Sequence, residues 1–159
     1  MKQFLMLFLL YGSALGATND AVLDSNTAFY DGQGIRYVIP APRHFKLVVE
    51  EAFADGYSMA YLPKLERYDS ASIMIGVNIY KLGGTIIDSL IARDTVSLRS
   101  YYGRTVEIRE VQALPTATGE AARTFYLKPV TGFVPNAAMA YFDGGAEVVI
   151  FELVLSDSV

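Results

Sequence analysis

The segment from Val148 to Leu155 constrains the fold most, because Glu152 is its only polar residue. A strand with one face in water alternates apolar and polar residues, whereas a strand that is apolar at nearly every position needs cover on both faces. Successive side chains of a strand point to opposite faces. One face therefore carries Val149, Phe151, Leu153 and Leu155, and the other carries Val148, Ile150, Glu152 and Val154. The sequence predicts a sheet with another layer packed on each side.

Residues 1–16 have the pattern of a secretory signal peptide. Lys2 precedes an apolar run from Phe4 to Leu10, and Ala14 and Gly16 fit a small-residue cleavage site. The apolar run is too short to span the roughly 30 Å hydrocarbon layer of a bilayer. We therefore expect cleavage after Gly16, no membrane span afterwards, and an exported protein that is periplasmic or secreted. An uncleaved N-terminal anchor is the alternative.

The composition removes several classes of function. The chain has no cysteine, so thiol catalysis, thiolate metal sites and disulfides are excluded, and stability must come from packing. The formal net charge is −4 and no cationic run is present, which argues against nucleic acid and anionic membrane surfaces as partners. No motif for a metal ion, a phosphate group or another cofactor occurs. We expect a monomer or weak dimer without a cofactor.

The remaining chain is predicted to be a single domain behind a short leader. Residues 17–33 are small and polar, and we expect them to be partly ordered at best. From residue 34 to 159, turn signals separate short runs of period two, clearest from Ile73 to Ile79. Short hairpin connections dominate, so residues 34–159 predict an α+β domain with a mostly antiparallel sheet of about six to seven strands.

One long helix, residues 86–102, is predicted to pack on a face of this sheet, with Thr85 as its N-cap and Gly103 at its end. Its apolar stripe consists of Ile87, Leu90, Ile91, Leu98 and Tyr101. Asp94 falls in the middle of this stripe, where a carboxylate must be paired, protonated or facing a cavity. Either the helix restarts at Asp94, or an arginine pairs with it, or Asp94 is the polar group of a pocket.

Two further residues are candidates for function. His44 is the only histidine, and the chain offers it no partner motif for general-base catalysis and no second histidine for a metal site. We therefore expect no catalytic residues, with His44 as a surface histidine. Phe133 lies in a loop rich in Gly and Pro, either as a contact residue for a partner or folded back onto the sheet.

The order of the predicted elements resembles the PsbP-like fold family. The segments that carry the resemblance are GIRYVIPAPRHF, GYSMAYLP, ASIMIGVNIY, the helix of residues 86–102, VEIREVQAL, EAARTFYL and the two strands around DGG. The resemblance implies an α-β-α sandwich around an antiparallel sheet, and an accessory or assembly role without catalytic machinery. Two departures stand out: the family usually ends in a helix that this sequence lacks, and photosynthetic bacterial relatives are often lipid-anchored through a cysteine that is absent here.

We therefore expect a non-enzymatic binding or assembly-accessory domain that acts on a protein or another component of the cell envelope. A carrier of a small molecule or lipid, with a cavity between helix and sheet, is the alternative, and a hydrolase that uses His44 is the third. In the resembled fold, a terminal helix would cover the face of Val148, Ile150 and Val154. Here either the leader folds over this face, or the natural chain is longer, or a partner binds. These three residues, with Phe133, are the predicted partner-binding residues.

Overall fold

The computed structural model describes residues 26–31, 36–115, 121–130 and 136–156. Its elements in chain order are β1 (Thr27–Asp31), β2 (Arg36–Pro40), β3 (Phe45–Val48), α1 (Glu50–Ala54), β4 (Met59–Pro63), β5 (Ile73–Lys81), α2 (Ile87–Tyr102), β6 (Val106–Pro115), β7 (Ala121–Pro129), β8 (Asn136–Asp143) and β9 (Glu147–Leu155). Short 3-10 turns occur at Tyr68–Ser70 and Gly103–Thr105. The predicted signal peptide and Phe133 lie outside the described residues.

Seven of the strands form one antiparallel sheet in the order β3-β4-β5-β9-β8-β7-β6. The apolar strand β9 is therefore internal, paired with β5 along its whole length and with β8 on its other side. An internal strand covered on both faces can be apolar throughout. The predicted α+β class and antiparallel sheet are confirmed, and the short strand β3 forms one edge of this sheet.

Strands β1 and β2 form a separate antiparallel hairpin. The segment around Tyr37 pairs with β1, where Tyr37 lies opposite Tyr30. Residues 27–31, which lie in the segment expected to be partly ordered at best, form a regular strand with Ala28 buried. The hairpin packs on one face of the main sheet.

Helix α2 begins one residue later than predicted and runs without interruption to Tyr102. Its N-cap is Ile86 rather than Thr85, and no side chain caps this end. Gly103 ends the helix at φ 60°, a conformation that favours glycine, as predicted. The apolar stripe is confirmed, except that it ends at the half-buried Tyr102 while Tyr101 is exposed.

Two apolar clusters fill the space on the two sides of the sheet. On one side, Leu90 and Ile91 of α2 pack in a cluster with residues of β6 to β9, among them Val148 and Ile150. On the other side, Ala28, Tyr37 and Ile39 of the hairpin pack with Val149, Phe151 and residues of β4, β5 and β8. The prediction of a layer on each side of β9 is therefore confirmed, with the helix on one face and the hairpin on the other.

Within the described residues, no helix is long and apolar enough to cross a membrane.

Candidate functional site

Among the predicted partner-binding residues that the structure describes, Val154 lines a pocket and Val148 and Ile150 do not. Val148 and Ile150 have exposed fractions of 0% and 2%, because helix α2 covers their face of the sheet. The expectation that this face lies open is wrong for these two residues. The predicted alternation of the strand is correct, but helix α2 packs on the face that was predicted to bind a partner. Val154, further along β9, is only partly buried.

Val154 lines a pocket of about 150 Å³ at the end of β9. We call it the Val154 pocket. Its lining residues are Asp55, Tyr68, Ala71, Met74, Val154, Leu155 and Ser156. Met74 of β5 lies directly opposite Val154 in the strand register, so these two side chains share a face. Asp55 follows helix α1, and Tyr68 belongs to a 3-10 turn. The pocket therefore combines apolar side chains with a carboxylate and a phenol.

Next to the pocket, Tyr57 lies over Gly76 and reaches Glu152. The Tyr57 hydroxyl donates to Glu152 Oε2 at 3.4 Å. Gly76 lies opposite Glu152 in the register of β5 and β9. A Cβ atom at position 76 would lie 2.6 Å from Tyr57 Cδ1, closer than real contacts allow. Glycine at this position therefore lets the Tyr57 ring lie flat against the strand.

Asp94 of α2 meets the sheet at Tyr141. The Tyr141 hydroxyl donates to Asp94 Oδ2 at 3.1 Å, and Arg93 Nε lies 3.6 Å from Asp94 Oδ1. The side chain of Asp94 is 22% exposed. Because α2 continues through Asp94, the predicted restart of the helix is wrong, whereas the predicted pairing with an arginine is found. We call Tyr57, Glu152, Asp94 and Tyr141 the polar strip.

The electrostatics tie the strip to the pocket. Burial raises the pKa of Glu152; the hydrogen bond from Tyr57 opposes this rise and the charge of Asp94 adds to it. Burial also raises the pKa of Tyr57, with contributions from Glu152, Tyr68 and Asp55. Burial, together with the Asp55 carboxylate, raises the pKa of Tyr68 to about 12. Tyr57 therefore lies close enough to Glu152 in the strip and to Asp55 in the pocket for both charges to act on it.

The chemistry of this surface suits binding. The phenols of Tyr57 and Tyr141 stay protonated, because burial followed by the nearby carboxylates raises their pKa values. A protonated phenol is a hydrogen-bond donor and a poor base. Carboxylates beside an apolar pocket attract a cationic group on a ligand. Among the described residues, no group of three or more His, Cys, Asp or Glu could hold a metal ion.

His44 belongs neither to the lining of the Val154 pocket nor to the polar strip. Its side chain is exposed, and its backbone has φ 70°, a left-handed conformation that is uncommon for residues other than glycine. Its carbonyl oxygen accepts a hydrogen bond from Lys64 N at 2.9 Å. His44 thus contributes to a tight turn through its backbone. Within the described part of the chain, its ring makes no hydrogen bond to a carboxylate or serine.

The fold is similar to that of cyanobacterial PsbP. The solution structure of this protein (CyanoP) from Synechocystis sp. PCC 6803 matches over 91% of this chain and 88% of that chain, with a TM-score of 0.49 and 13% sequence identity. At this identity the match concerns the fold alone. No family model and no curated protein matches the sequence.

Sequence reasoning found Asp94 and Val154 but missed Tyr57 and Tyr68. One signal was present for Tyr57. A glycine inside a strand often marks a place where another group approaches the backbone, and Gly76 lies in the middle of the period-two run from Ile73 to Ile79. No comparable signal marks Tyr68, because its position depends on how the loop between β4 and β5 returns to the sheet.

Proposed function

We propose that this chain is an exported, non-enzymatic binding or accessory domain that holds a segment of a protein partner of the cell envelope in the Val154 pocket. The observation that carries the proposal is the pocket itself, where the partly exposed Val154 and the partly exposed Met74 lie beside the Asp55 carboxylate. Apolar side chains left open beside polar groups are typical of contact surfaces.

The pocket and the polar strip together indicate the chemistry of the partner segment. A volume of about 150 Å³ corresponds to about five water molecules, which is room for one apolar side chain. Asp55 lies at the pocket, and Glu152 and Asp94 follow along the strip. We therefore expect a segment with an apolar side chain for the pocket and a neighbouring lysine or arginine for these carboxylates.

The packing of the helix favours this function over the carrier alternative. A carrier needs a cavity of several hundred Å³, on the order of 300 or more, between helix and sheet. Leu90 and Ile91 instead pack in one cluster with Val148 and Ile150, which are almost fully buried. The hydrolase alternative gains no support from the exposed His44.

A photocrosslinking experiment tests the proposal. Residues 17–159 would be purified with p-benzoylphenylalanine in place of Val154, mixed with the envelope fraction of the source cells and irradiated. The control carries the same group in place of Val96, which is 65% exposed on α2. We expect the Val154 variant to form a discrete crosslinked product with one protein, and the Val96 variant to form none.

Charge reversal then tests the partner chemistry. Asp55→Lys should weaken the crosslink from Val154, because it places a cation where we expect the partner's cation. Glu107→Lys, an exposed change on β6, should leave the crosslink unchanged. Equal crosslinking from Val154 and Val96, or a lipid that co-purifies while no protein is crosslinked, would overturn the proposal.

A further inference from the structure

The β1–β2 hairpin is attached to the main sheet differently from the other strands. Its two strands pair only with each other, and within the described residues no backbone hydrogen bond joins them to the seven-stranded sheet. The hairpin is attached through apolar side chains, among them Ala28, Tyr37 and Ile39. The Tyr61 hydroxyl also donates to the Ile39 carbonyl oxygen at 2.6 Å. A layer that shares no backbone pairing with the sheet can open at a lower free energy than the sheet that it covers.

A buried carboxylate opposes this attachment. Glu147 is only 2% exposed, and its Oε1 atom has no hydrogen-bond partner. The buried hydroxyl of Tyr37 has none either. Lys81 lies opposite Glu147 in the strand register, but it is exposed and the two side chains form no ion pair. Burial of an unpartnered carboxylate costs free energy that is recovered when water reaches the group.

Glu147 and Tyr37 lie close together at the turn between β8 and β9. Burial raises the pKa of Tyr37, and the Glu147 carboxylate adds to this rise. The Tyr37 hydroxyl is also close to Gly144, where an added Cβ atom would collide with it. The hairpin therefore closes over Glu147 at a crowded point, where neither polar group finds a partner.

We propose that the β1–β2 hairpin is a flap that opens while the rest of the domain stays folded. Opening hydrates Glu147 and Tyr37 and uncovers an apolar sheet surface formed by Tyr61, Phe142, Val149 and Phe151. This surface lies on the opposite side of the sheet from helix α2.

Because the chain has no cysteine, single thiols can report on the opening of each face. Val149 and Val148 are neighbours on β9, both with 0% exposure, and they point to the hairpin side and the helix side respectively. We would prepare Val149→Cys and Val148→Cys and measure their reaction with a thiol reagent under native conditions. A flap predicts that the thiol at position 149 reacts at least about tenfold faster, because it becomes accessible without global unfolding.

Two further substitutions act on the flap without removing its apolar contacts. In the Val149→Cys background, Glu147→Gln should slow labelling several-fold, because an amide is less costly to bury than a carboxylate. Tyr61→Phe should accelerate labelling, because it removes the contact with Ile39 and keeps the ring. In the Val148→Cys background, neither substitution should change labelling beyond its effect on global stability, measured by urea unfolding.

Equal labelling of both thiols, at a rate that follows global unfolding, would overturn the proposal. Faster labelling at position 149 that Glu147→Gln leaves unchanged would also contradict it, since the buried carboxylate would then not bias the flap. Circular dichroism of each variant shows whether the domain is folded. If Val149→Cys is not folded, Phe151→Cys replaces it, because Phe151 is 4% exposed and lies on the same hairpin side.

Discussion

At the scale of single residues, Gly76 and Tyr57 show how one missing side chain builds the candidate site. Glycine weakens a strand because its backbone loses more conformational entropy on folding than that of other residues, and because it has no side chain to pack. Here the space above Gly76 is filled by the Tyr57 ring, whose hydroxyl then reaches Glu152. The hydrogen bond of Glu152 with Tyr57 therefore depends on a glycine directly opposite it on the neighbouring strand β5.

The prediction is that Gly76→Ala destabilises the protein by about 1–3 kcal/mol, the range observed when an added group overpacks a core. The new Cβ would lie closer to the Tyr57 ring than real contacts allow and would displace the ring from Glu152. In a Tyr57→Ala background the ring is absent, and the same substitution should be neutral or stabilise by roughly 0.5–1 kcal/mol, because alanine is favoured over glycine inside a strand. Urea unfolding of the four proteins of this cycle measures both values. The same cost in both backgrounds would contradict the close packing of Tyr57 on Gly76.

At the scale of elements, helix α2 is held by a narrow stripe. Only Leu90 and Ile91 are buried on it, and Ile87, Leu98 and Tyr102 pack partly against the sheet. Outside this stripe Val96 is 65% exposed although it is apolar. Most of the stability of a helix of this length comes from such a packed face rather than from the intrinsic propensity of its residues.

We therefore expect Leu90→Ala to cost about 2–5 kcal/mol of unfolding free energy, the range for deletion of a buried leucine side chain. Val96→Ala, in the same helix, should change stability by less than about 0.5 kcal/mol, because the side chain is mostly in water. Denaturant unfolding checks both values. A loss for Val96→Ala as large as that for Leu90→Ala would mean that this face of the helix is covered in solution.

The same elements show how far the sequence could predict the fold. Period-two alternation correctly divided β9 into two faces, and both were apolar, so both required cover. Alternation cannot say which face receives the helix, because Val148 and Ile150 are as apolar as Val149 and Phe151. That choice depends on the connection between β5 and α2, which is a property of the tertiary structure.

Short elements were the other source of error. Helix α1 has only five residues, and strands β1 and β3 have five and four, too few for a periodic pattern to stand out. The polar strip was partly visible, since Asp94 interrupts an apolar stripe. Its partners Tyr57 and Tyr141 come from distant parts of the chain, and no local spacing could have brought them to one place.

At the scale of the whole molecule, the domain has a three-layer arrangement of helix, sheet and hairpin, with one carboxylate held back from water on each side of the sheet. Glu152 lies on the helix side among the polar strip, and Glu147 lies on the hairpin side. Burial raises the pKa of Glu152, so this group makes the stability of the domain depend on pH. The exposed Glu107 on β6 acts in the opposite direction, because its hydrogen bond with Arg109 lowers its pKa.

The difference in unfolding free energy between a variant and its parent isolates the contribution of one group to the pH dependence. For Glu107 the pKa falls on folding, so the carboxylate contributes stability above its unfolded pKa and loses that contribution as the pH falls through the folded value. Glu107→Gln removes this contribution. The variant should therefore lose unfolding free energy relative to the parent at neutral pH, and this loss should be smaller at acid pH. The effect is small, because the pair with Arg109 is exposed to solvent and screened by salt.

For Glu152 the sign is reversed. Burial favours the neutral form, so the folded state binds a proton more tightly than the unfolded state, whose Glu pKa is about 4.3. Its contribution to stability is greatest at acid pH and decreases as the pH rises through the raised folded pKa. Glu152→Gln removes this dependence, so the variant should gain stability relative to the parent between about pH 4 and pH 7. Urea unfolding of both proteins across this range measures the gain. If the free energies of unfolding of the two proteins instead change with pH in parallel, the Tyr57 hydrogen bond compensates fully for burial. The strip would then hold an ionised carboxylate for a cationic partner without loss of stability.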